Sequence, residues 1–181
     1  MGMAVTYFTA DLVRALPDDG NRYEVVHGEL LVTPAPRLWH QEIVLRIARV
    51  LLDYTRETGH GHVLHSPADI SWSHHTLVQP DVFVVPLSEA RTLDWAQVRT
   101  LLLAVEVLSP STARADRFTK RRLYQEVGIP TYWVVDPDNA SIEVWTPDAG
   151  MPTVERRTLT WHPAGVAEPL TIELGELFRP I

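Results

Sequence analysis

The segment Leu101–Asp136 places the strongest constraint on the fold of this chain, because its pattern predicts a strand, a helix and a second strand in succession. Leu101–Leu108 is apolar at every position except Glu106, which indicates a central strand buried on both faces. A helix is predicted over Asp116–Val127, and a second buried strand over Thr131–Val135. This strand–helix–strand crossover predicts an α/β fold around one mixed sheet.

The rest of the chain adds a hairpin, a long amphipathic helix and several short strands. Two β-rich runs flank a His-Gly turn, which predicts an N-terminal β-hairpin over Tyr23–Thr33. Apolar residues recur on one face of His40–Glu57, as in a helix packed on a core. Short strands are predicted at His62–Ser66, Asp69–Ser73 and Asp81–Val85. We therefore expect one domain over residues 1–181, with a mixed β-sheet flanked by helices.

The composition excludes several classes of site. The 181 residues include no cysteine, which excludes disulfides and thiolate metal ligands and is typical of a cytoplasmic protein. The formal net charge of -7 excludes a cationic field over the whole protein, so contact with nucleic acid needs a local basic patch. No apolar run is long enough to span a bilayer, and the N-terminus lacks the pattern of a signal peptide, so no membrane partner is expected.

Two carboxylates lie in or beside apolar strands. Glu106 lies within Leu101–Leu108, where a buried carboxylate is costly unless it is paired or bound to a metal. Asp81 follows Pro80 and leads a run of apolar residues. Each has a plain structural alternative, because Glu106 could pair with an arginine at the end of the sheet and Asp81 could cap a turn.

Lys120 is the only lysine in the chain, against fifteen arginines. The helical period places it on one stripe with Asp116, Leu123 and Tyr124, on the core-facing side of the predicted helix. The alternative is an ordinary ion pair with Asp116 at i,i+4, worth about 0.2–0.5 kcal/mol. An exposed pair does not need the apolar side of a helix, so we favour a functional role. Lysine provides a compact charge whose pKa can be shifted by its surroundings.

Together, Asp81, Glu106 and Lys120 fit a metal-dependent phosphodiesterase. Two carboxylates from adjacent strands can hold Mg²⁺, which accepts few protein oxygens and keeps several waters. Such a metal polarises the phosphate and lowers the pKa of a bound water. A nearby lysine can orient or deprotonate that water and can offset the charge of the transition state.

Several short motifs resemble those of one nuclease family. They are Pro80-Asp81, Glu106-Val107, Ser109-Pro110-Ser111-Thr112, Asp116, Lys120 and the run Tyr132–Pro137, with Tyr23-Glu24, Gly28-Glu29 and His40 upstream. Over residues 20–146 the chain is similar to the Uma2 family of endonucleases, in the PD-(D/E)xK nuclease superfamily. The resemblance implies a restriction-endonuclease-like core and an enzyme that hydrolyses phosphodiester bonds in DNA.

The resemblance also implies a metal site. It assigns Asp81 and Glu106 as metal ligands, with the carbonyl of Val107 as a third ligand. The metal it implies is Mg²⁺, with Mn²⁺ as a substitute. Asp69 is a further candidate because it leads a neighbouring strand, although a turn aspartate after Pro67 is an equally good interpretation.

The catalytic lysine departs from the usual superfamily spacing. An ExK motif that begins at Glu106 places the lysine at position 108, where this chain has Leu108. The family is thought to supply the lysine from the following helix, which is the position of Lys120. The helical period identifies the same lysine independently, and the resemblance adds Asp116 and His40 as supporting catalytic groups.

Three further sets of residues have competing interpretations. The histidines at 60, 62, 65, 74 and 75 could form a zinc site, but surface loops are the favoured interpretation. Glu24 and Glu29 flank the hairpin turn, and we favour solvent-facing positions over an approach to the cleft. The arginines at 114, 117, 121 and 122 form the best candidate for a phosphate-facing patch, and a solvated helix face is the alternative.

Two functions are therefore carried forward. The first is a Mg²⁺-dependent endonuclease, and the second is a non-catalytic nucleic-acid-binding or regulatory module that keeps the nuclease fold. Apolar edge strands in the tail, together with the need to cut two strands, favour a homodimer.

Overall fold

The computed structural model describes residues 7–181. Residues 1–6, part of the N-terminal stretch searched for a targeting signal, lie outside the described residues. The helices are α1 (Ala10–Arg14), α2 (Leu38–Thr58), α3 (Leu87–Ala90), α4 (Arg121–Glu126) and α5 (Leu174–Leu177). The strands are β1 (Arg22–Val26), β2 (Glu29–Thr33), β3 (His62–His65), β4 (Ile70–Ser73), β5 (Thr76–Val78), β6 (Val82–Val85), β7 (Leu103–Val107), β8 (Tyr132–Asp136), β9 (Ser141–Trp145), β10 (Thr153–Glu155), β11 (Thr158–Trp161) and β12 (Leu170–Glu173).

A six-stranded mixed sheet with the order β10-β9-β8-β7-β6-β3 forms the centre of the molecule. Strands β7 and β8 pair in parallel, as the predicted crossover requires, whereas β6 pairs with β7 and β8 pairs with β9 in antiparallel fashion. All five residues of β7 and all five of β8 are buried. The prediction of a mixed sheet with a central, doubly buried strand is confirmed.

The two faces of this sheet pack against different layers, because side chains alternate along each strand. Val82, Val105 and Trp133 point to the face that packs on Ile43 and Ile47 of α2. Each such fully buried side chain contributes about 1.5–3 kcal/mol relative to exposure. On the opposite face lie Phe83, Ala104 and Val134, which pack on Leu123 and Tyr124 of α4 and on β1, β4 and β5. Glu106 follows the alternation of Ala104, so it faces the α4 side.

A second, antiparallel sheet has the order β2-β1-β5-β4 and covers part of the α4 side. Its β1–β2 pair is the predicted N-terminal hairpin, with His27 and Gly28 at positive φ in the turn. Strand β5 was not predicted, because it is only three residues long and lies between two histidines and Gln79-Pro80. Within residues 7–181, no helix is long and apolar enough to cross a membrane.

The helix predicted over Asp116–Val127 is not a uniform α-helix. It begins with a π-helical turn over Ala115–Lys120 and continues as α4. Wide turns of this type are frequent at functional sites. Asp116 and Lys120 both remain on the buried side, whereas Val127, which an α-helical stripe would bury, is 37% exposed.

Candidate active site

The register between β6 and β7 brings two predicted site residues face to face. Val82 pairs with Val105 in this antiparallel ladder, and one further step places Asp81 opposite Glu106. Both carboxylates are buried, with 2% of Asp81 and none of Glu106 exposed. Since two adjacent buried carboxylates need positive partners, the groups around them determine what the site can do.

Lys120 is the positive partner at the centre of the buried cluster. Its Nζ atom lies 2.8 Å from Glu24 Oε2, 3.1 Å from Glu106 Oε1 and 3.3 Å from Asp116 Oδ1. The Tyr124 hydroxyl also donates to Glu106 Oε1, at 3.1 Å. The inward orientation of Lys120 that the helical period predicts is therefore present, and it serves three carboxylates rather than one.

Glu24 is not solvent-facing, which corrects the interpretation favoured from the sequence. It is fully buried, and its Oε1 atom accepts a hydrogen bond from the Gln79 amide at 2.7 Å. The hairpin brings it inward because Arg22, Glu24 and the buried Val26 share one face of β1. That alternation is a signal in the sequence that could have identified both Glu24 and Arg22. Glu29, at the start of β2, is exposed as predicted.

Asp81 is held through both of its carboxylate oxygens. Oδ2 accepts a hydrogen bond from the Val107 amide at 2.8 Å and lies 3.2 Å from Nε2 of His40. Oδ1 accepts from Nη1 of Arg22 at 2.9 Å. Sequence reasoning identified His40 only through the family resemblance and did not identify Arg22. The contact from Val107 is made by its amide, whereas the family resemblance implicates its carbonyl.

A cleft of about 790 Å³ opens beside this site. Asp81, His40 and Arg22 line it, together with the Ser109–Thr112 loop and Asp69. Glu106, Lys120 and Asp116 are buried behind that wall. Asp81 therefore lies at the boundary between the cleft, where a substrate can enter, and the lysine cluster.

The surroundings shift the pKa values of Asp81 and Lys120 in opposite directions. Burial alone would raise the pKa of Asp81, but the hydrogen bond from His40 and the charge of Arg22 lower it well below its ordinary value. Burial alone would lower the pKa of Lys120, but the charges of Glu106, Glu24 and Asp116 raise it well above its ordinary value. Asp81 is therefore an anion and Lys120 a cation. As a cation, Lys120 can donate hydrogen bonds and positive charge to the carboxylates around it.

Glu106 and Asp116 show the opposite behaviour to Asp81. Burial raises the pKa of both carboxyl groups, and nearby carboxylates raise it further against the attraction of Lys120. Glu106 Oε2 is buried and has no hydrogen-bond partner. Because the site contains more carboxylates than permanent cations, the surroundings oppose full ionisation of Glu106 and Asp116.

The charge balance and the unpaired oxygen fit a divalent cation. Ion pairs join four carboxylates of the site to two permanent cations. The carboxylates are Glu24, Asp81, Glu106 and Asp116, and the cations are Arg22 and Lys120. If all four carboxylates are ionised, two negative charges are therefore left uncompensated. Mg²⁺ carries that charge and binds carboxylate oxygens, as few as one or two in an enzyme site. Glu106 Oε2 is an oxygen with no other partner.

Asp69 and the arginine cluster are engaged elsewhere. Asp69 lines the same cleft but forms a two-point ion pair with Arg14, with both N–O distances at 2.7 Å. Arg117 bonds to Asp136 and Glu143. None of the four arginines at 114, 117, 121 and 122 lines the cleft. Two of them have partners within the protein: carboxylates of β8 and β9 hold Arg117, and the guanidinium of Arg121 lies over the ring of Trp145.

The histidines of residues 60–75 lie in separate places. The His65 ring contacts the Ser66 carbonyl, the His75 ring contacts the Phe8 carbonyl, and His60 packs on Trp161. Within residues 7–181, no group of three or more His, Cys, Asp or Glu side chains is arranged to hold a metal ion. The zinc site considered from the sequence is therefore not formed, and a metal at Asp81 and Glu106 would need ligands other than a third such side chain.

The fold, a mixed sheet whose neighbouring strands carry facing carboxylates, is of the restriction-endonuclease-like class. A solved structure described as a "putative nuclease belonging to DUF820" from Anabaena variabilis has the same fold, with a TM-score of 0.77 and 21% sequence identity over 94% of this chain and 97% of that one. The sequence matches the Uma2 family, described as "Putative restriction endonuclease", over residues 10–174, and the chain belongs to that family. No curated protein matches the sequence.

Proposed function

We propose that this protein is a Mg²⁺-dependent endonuclease that hydrolyses phosphodiester bonds in DNA. The observation that supports this most directly is the facing pair Asp81 and Glu106 beside Lys120, in a network that lacks two positive charges. The cleft gives a substrate access to Asp81. Membership of a family described as restriction endonucleases supports the same class of reaction.

Asp81 and Glu106 would hold the metal, with the Val107 carbonyl as a third protein ligand. Bound Mg²⁺ supplies a Lewis acid for a phosphate oxygen and lowers the pKa of a water ligand. Lys120, 3.1 Å from Glu106, would orient the attacking water and offset negative charge as the phosphate is attacked.

Two neighbours position these groups. Asp116 contacts Lys120 at 3.3 Å and, with Glu24, fixes the ammonium beside Glu106. His40 contacts Asp81 Oδ2 at 3.2 Å and fixes the carboxylate at the wall of the cleft. Both are supporting residues, since their contacts are with Lys120 and Asp81.

The test is cleavage of supercoiled plasmid and of single- and double-stranded oligonucleotides with Mg²⁺ or Mn²⁺. Asp81→Asn and Glu106→Gln keep the shape of each side chain and should abolish nicking. Asp69→Asn is the matched control, because it neutralises a carboxylate of the same cleft that Arg14 already pairs. If wild type nicks the plasmid and Asp81→Asn still nicks it, the proposed mechanism is wrong. If the protein cleaves RNA but not DNA, the proposed substrate is wrong.

The second candidate is a non-catalytic nucleic-acid-binding or regulatory module. The observation that favours it is that both oxygens of Asp81 already have protein partners, in Arg22, His40 and Val107. Calorimetric titration with Mn²⁺ separates the two functions. Binding that Asp81→Asn removes supports the enzyme, and the absence of binding at millimolar Mn²⁺ supports the module.

A homodimer fits an enzyme that cuts both strands of a duplex. Edge strand β10 carries Val154, which is 44% exposed, and the nearby Met151 is 80% exposed. An apolar edge of this kind can pair with another chain. Light scattering should give twice the 20.5 kDa mass of one chain, and a mass of 20.5 kDa at micromolar concentration would exclude the dimer.

A further inference from the structure

Arg22 binds Asp81, one of the two proposed metal ligands, and lines the cleft. Its Nη1 atom donates to Asp81 Oδ1 at 2.9 Å and to Ser66 Oγ at 3.2 Å, and its Nε lies 3.9 Å from Glu24 Oε2. The side chain lines the cleft and is 19% exposed, in contrast to the 2% of Lys120. Arg22 therefore approaches Asp81 from the side that solvent can reach.

The three partners of Asp81 differ in how easily they can leave. The Val107 amide belongs to the end of β7, and its hydrogen bond to Oδ2 is fixed by the sheet. His40 belongs to the first turn of α2, and its ring also contacts Oδ2. Arg22 alone of these three bonds to Oδ1, through a long side chain with several rotatable bonds. Oδ1 is therefore the oxygen that can be released.

The present position of Arg22 is also incompletely satisfied. Its Nε atom is buried and has no hydrogen-bond partner. A buried donor without an acceptor carries a desolvation cost, which reduces the penalty for moving the guanidinium. The cleft offers space and solvent beside it.

We propose that Arg22 is a displaceable counter-ion of the metal site. It holds Asp81 Oδ1 in the metal-free protein, and a divalent cation takes its place and sends the guanidinium into the cleft. This inference rests on the proposed function, because it assumes that Asp81 binds the metal. A guanidinium and a divalent cation repel each other at such short range, so the two cations compete for Oδ1. Arg22 is thus a positioning residue that sets the affinity of the site for metal.

The competition makes a specific prediction for Mn²⁺ binding measured by calorimetry. Arg22→Met keeps much of the side-chain volume and removes the competing charge, so Mn²⁺ should bind on the order of tenfold more tightly than to wild type. Arg14→Met is the matched control, because it removes an arginine of the same cleft that contacts Asp69 and not Asp81. Its affinity should remain within about twofold of wild type, since its charge lies near solvent and is screened.

The outcomes separate this inference from the proposed function. Equal affinity in wild type and Arg22→Met, or equal tightening in Arg22→Met and Arg14→Met, overturns the displacement while the metal site stands. Binding to Arg22→Met but not to wild type also overturns displacement, because Arg22 then excludes the metal and is not displaced by it. No binding to any variant overturns both.

Circular dichroism checks that each variant folds. If Arg22→Met does not fold, Arg22→Gln replaces it, because glutamine keeps a donor for Asp81 without the charge.

Discussion

Lys120 Nζ lies 2.8 Å from Glu24 Oε2, and this ion pair links the four-stranded sheet to the helix that crosses over between two strands of the six-stranded sheet. Glu24 belongs to β1 of the four-stranded sheet, whereas Lys120 ends the π-helical turn that follows β7 of the six-stranded sheet. Neither side chain is more than 2% exposed. The N-terminal hairpin is therefore part of the candidate active site, because it supplies a carboxylate that positions the lysine.

The Glu24–Lys120 pair should contribute strongly to stability. Glu24→Ala leaves part of the charge of Lys120 uncompensated in the core and frees the Gln79 amide, so the free energy of unfolding should fall by about 3–5 kcal/mol. Urea denaturation at neutral pH measures this. Glu29→Ala, an exposed position in the same hairpin, is the control and should change stability by at most about 0.5 kcal/mol. Equal effects of the two substitutions would show that Glu24 does not pair with Lys120.

Removal of Lys120 should lower the stability of the protein. Lys120→Met fills similar volume but leaves Glu24, Glu106 and Asp116 without their shared cation. Breaking a buried pair of this kind costs about 3–5 kcal/mol, so the variant should unfold at lower urea concentration at neutral pH.

Without the cation, protonation of Glu106 and Asp116 is favoured further, so native Lys120→Met keeps these protons to a higher pH than wild type does. Its stability should therefore fall more steeply with rising pH, and the loss relative to wild type should be smaller at about pH 5 than at about pH 8. Arg49→Met on the exposed side of α2 serves as the control for loss of one positive charge. A stability loss in Lys120→Met that is the same at both pH values would argue against a carboxylate cluster around this lysine.

The metal-free protein should become less stable as the pH rises. The pKa of Glu106 is raised above its ordinary 4.5 by burial, so above about pH 4.5 the native state keeps a proton that the unfolded chain releases. Asp116 acts in the same direction. The slope approaches about -1.4 kcal/mol per pH unit for each retained proton. Asp81 has the opposite sign, but its contribution is complete above its ordinary pKa of 3.8 and adds no slope here.

Urea denaturation in EDTA, from about pH 5 to about pH 8, tests this slope. Glu106→Gln removes the titrating group, so its stability should depend less on pH and should exceed that of wild type at about pH 8. Added Mg²⁺ should restore stability to wild type at the higher pH, because it binds the ionised carboxylates, and should leave Glu106→Gln unchanged. Wild-type stability that increases over this interval would contradict the raised pKa of Glu106.

The central part of the fold follows from local patterns. Local sequence patterns predict the buried strand around Glu106, the crossover helix and the strand that follows it. The helical period also predicts that Lys120 lies on the inward face of that helix. The proximity of Asp81 to Glu106 depends on strand order and register, which single-sequence patterns do not specify. In this chain, the family resemblance supplied that pairing.

The parts that sequence reasoning missed depend on contacts between distant segments. Glu24 looks like a cross-strand surface residue until the hairpin folds over the π-helical turn, about a hundred residues further along the chain. Arg22 can be identified as a site residue only when the fold places it beside Asp81, which lies 59 positions further along the chain. The arginines around α4 form a basic run in the sequence, yet carboxylates on β8 and β9 hold Arg117. A charge pattern along one helix does not reveal which partners the opposing elements provide.

Contacts with DNA phosphates should come from the cleft rather than from α4. Arg37 lines the cleft, its side chain is exposed, and among the described residues it forms no salt bridge, so its charge is available to a phosphate. Arg37→Ala should weaken DNA binding and reduce the salt dependence of the affinity by about one unit of slope. Fluorescence anisotropy over a series of salt concentrations, with a catalytically inactive Asp81→Asn background, measures both quantities.

Arg122→Ala is the matched control, since Arg122 lies outside the cleft and pairs with Glu126 at 2.9 Å. If Arg122→Ala reduces the salt dependence of DNA affinity more than Arg37→Ala does, the phosphate contacts come from the helix face and not from the cleft.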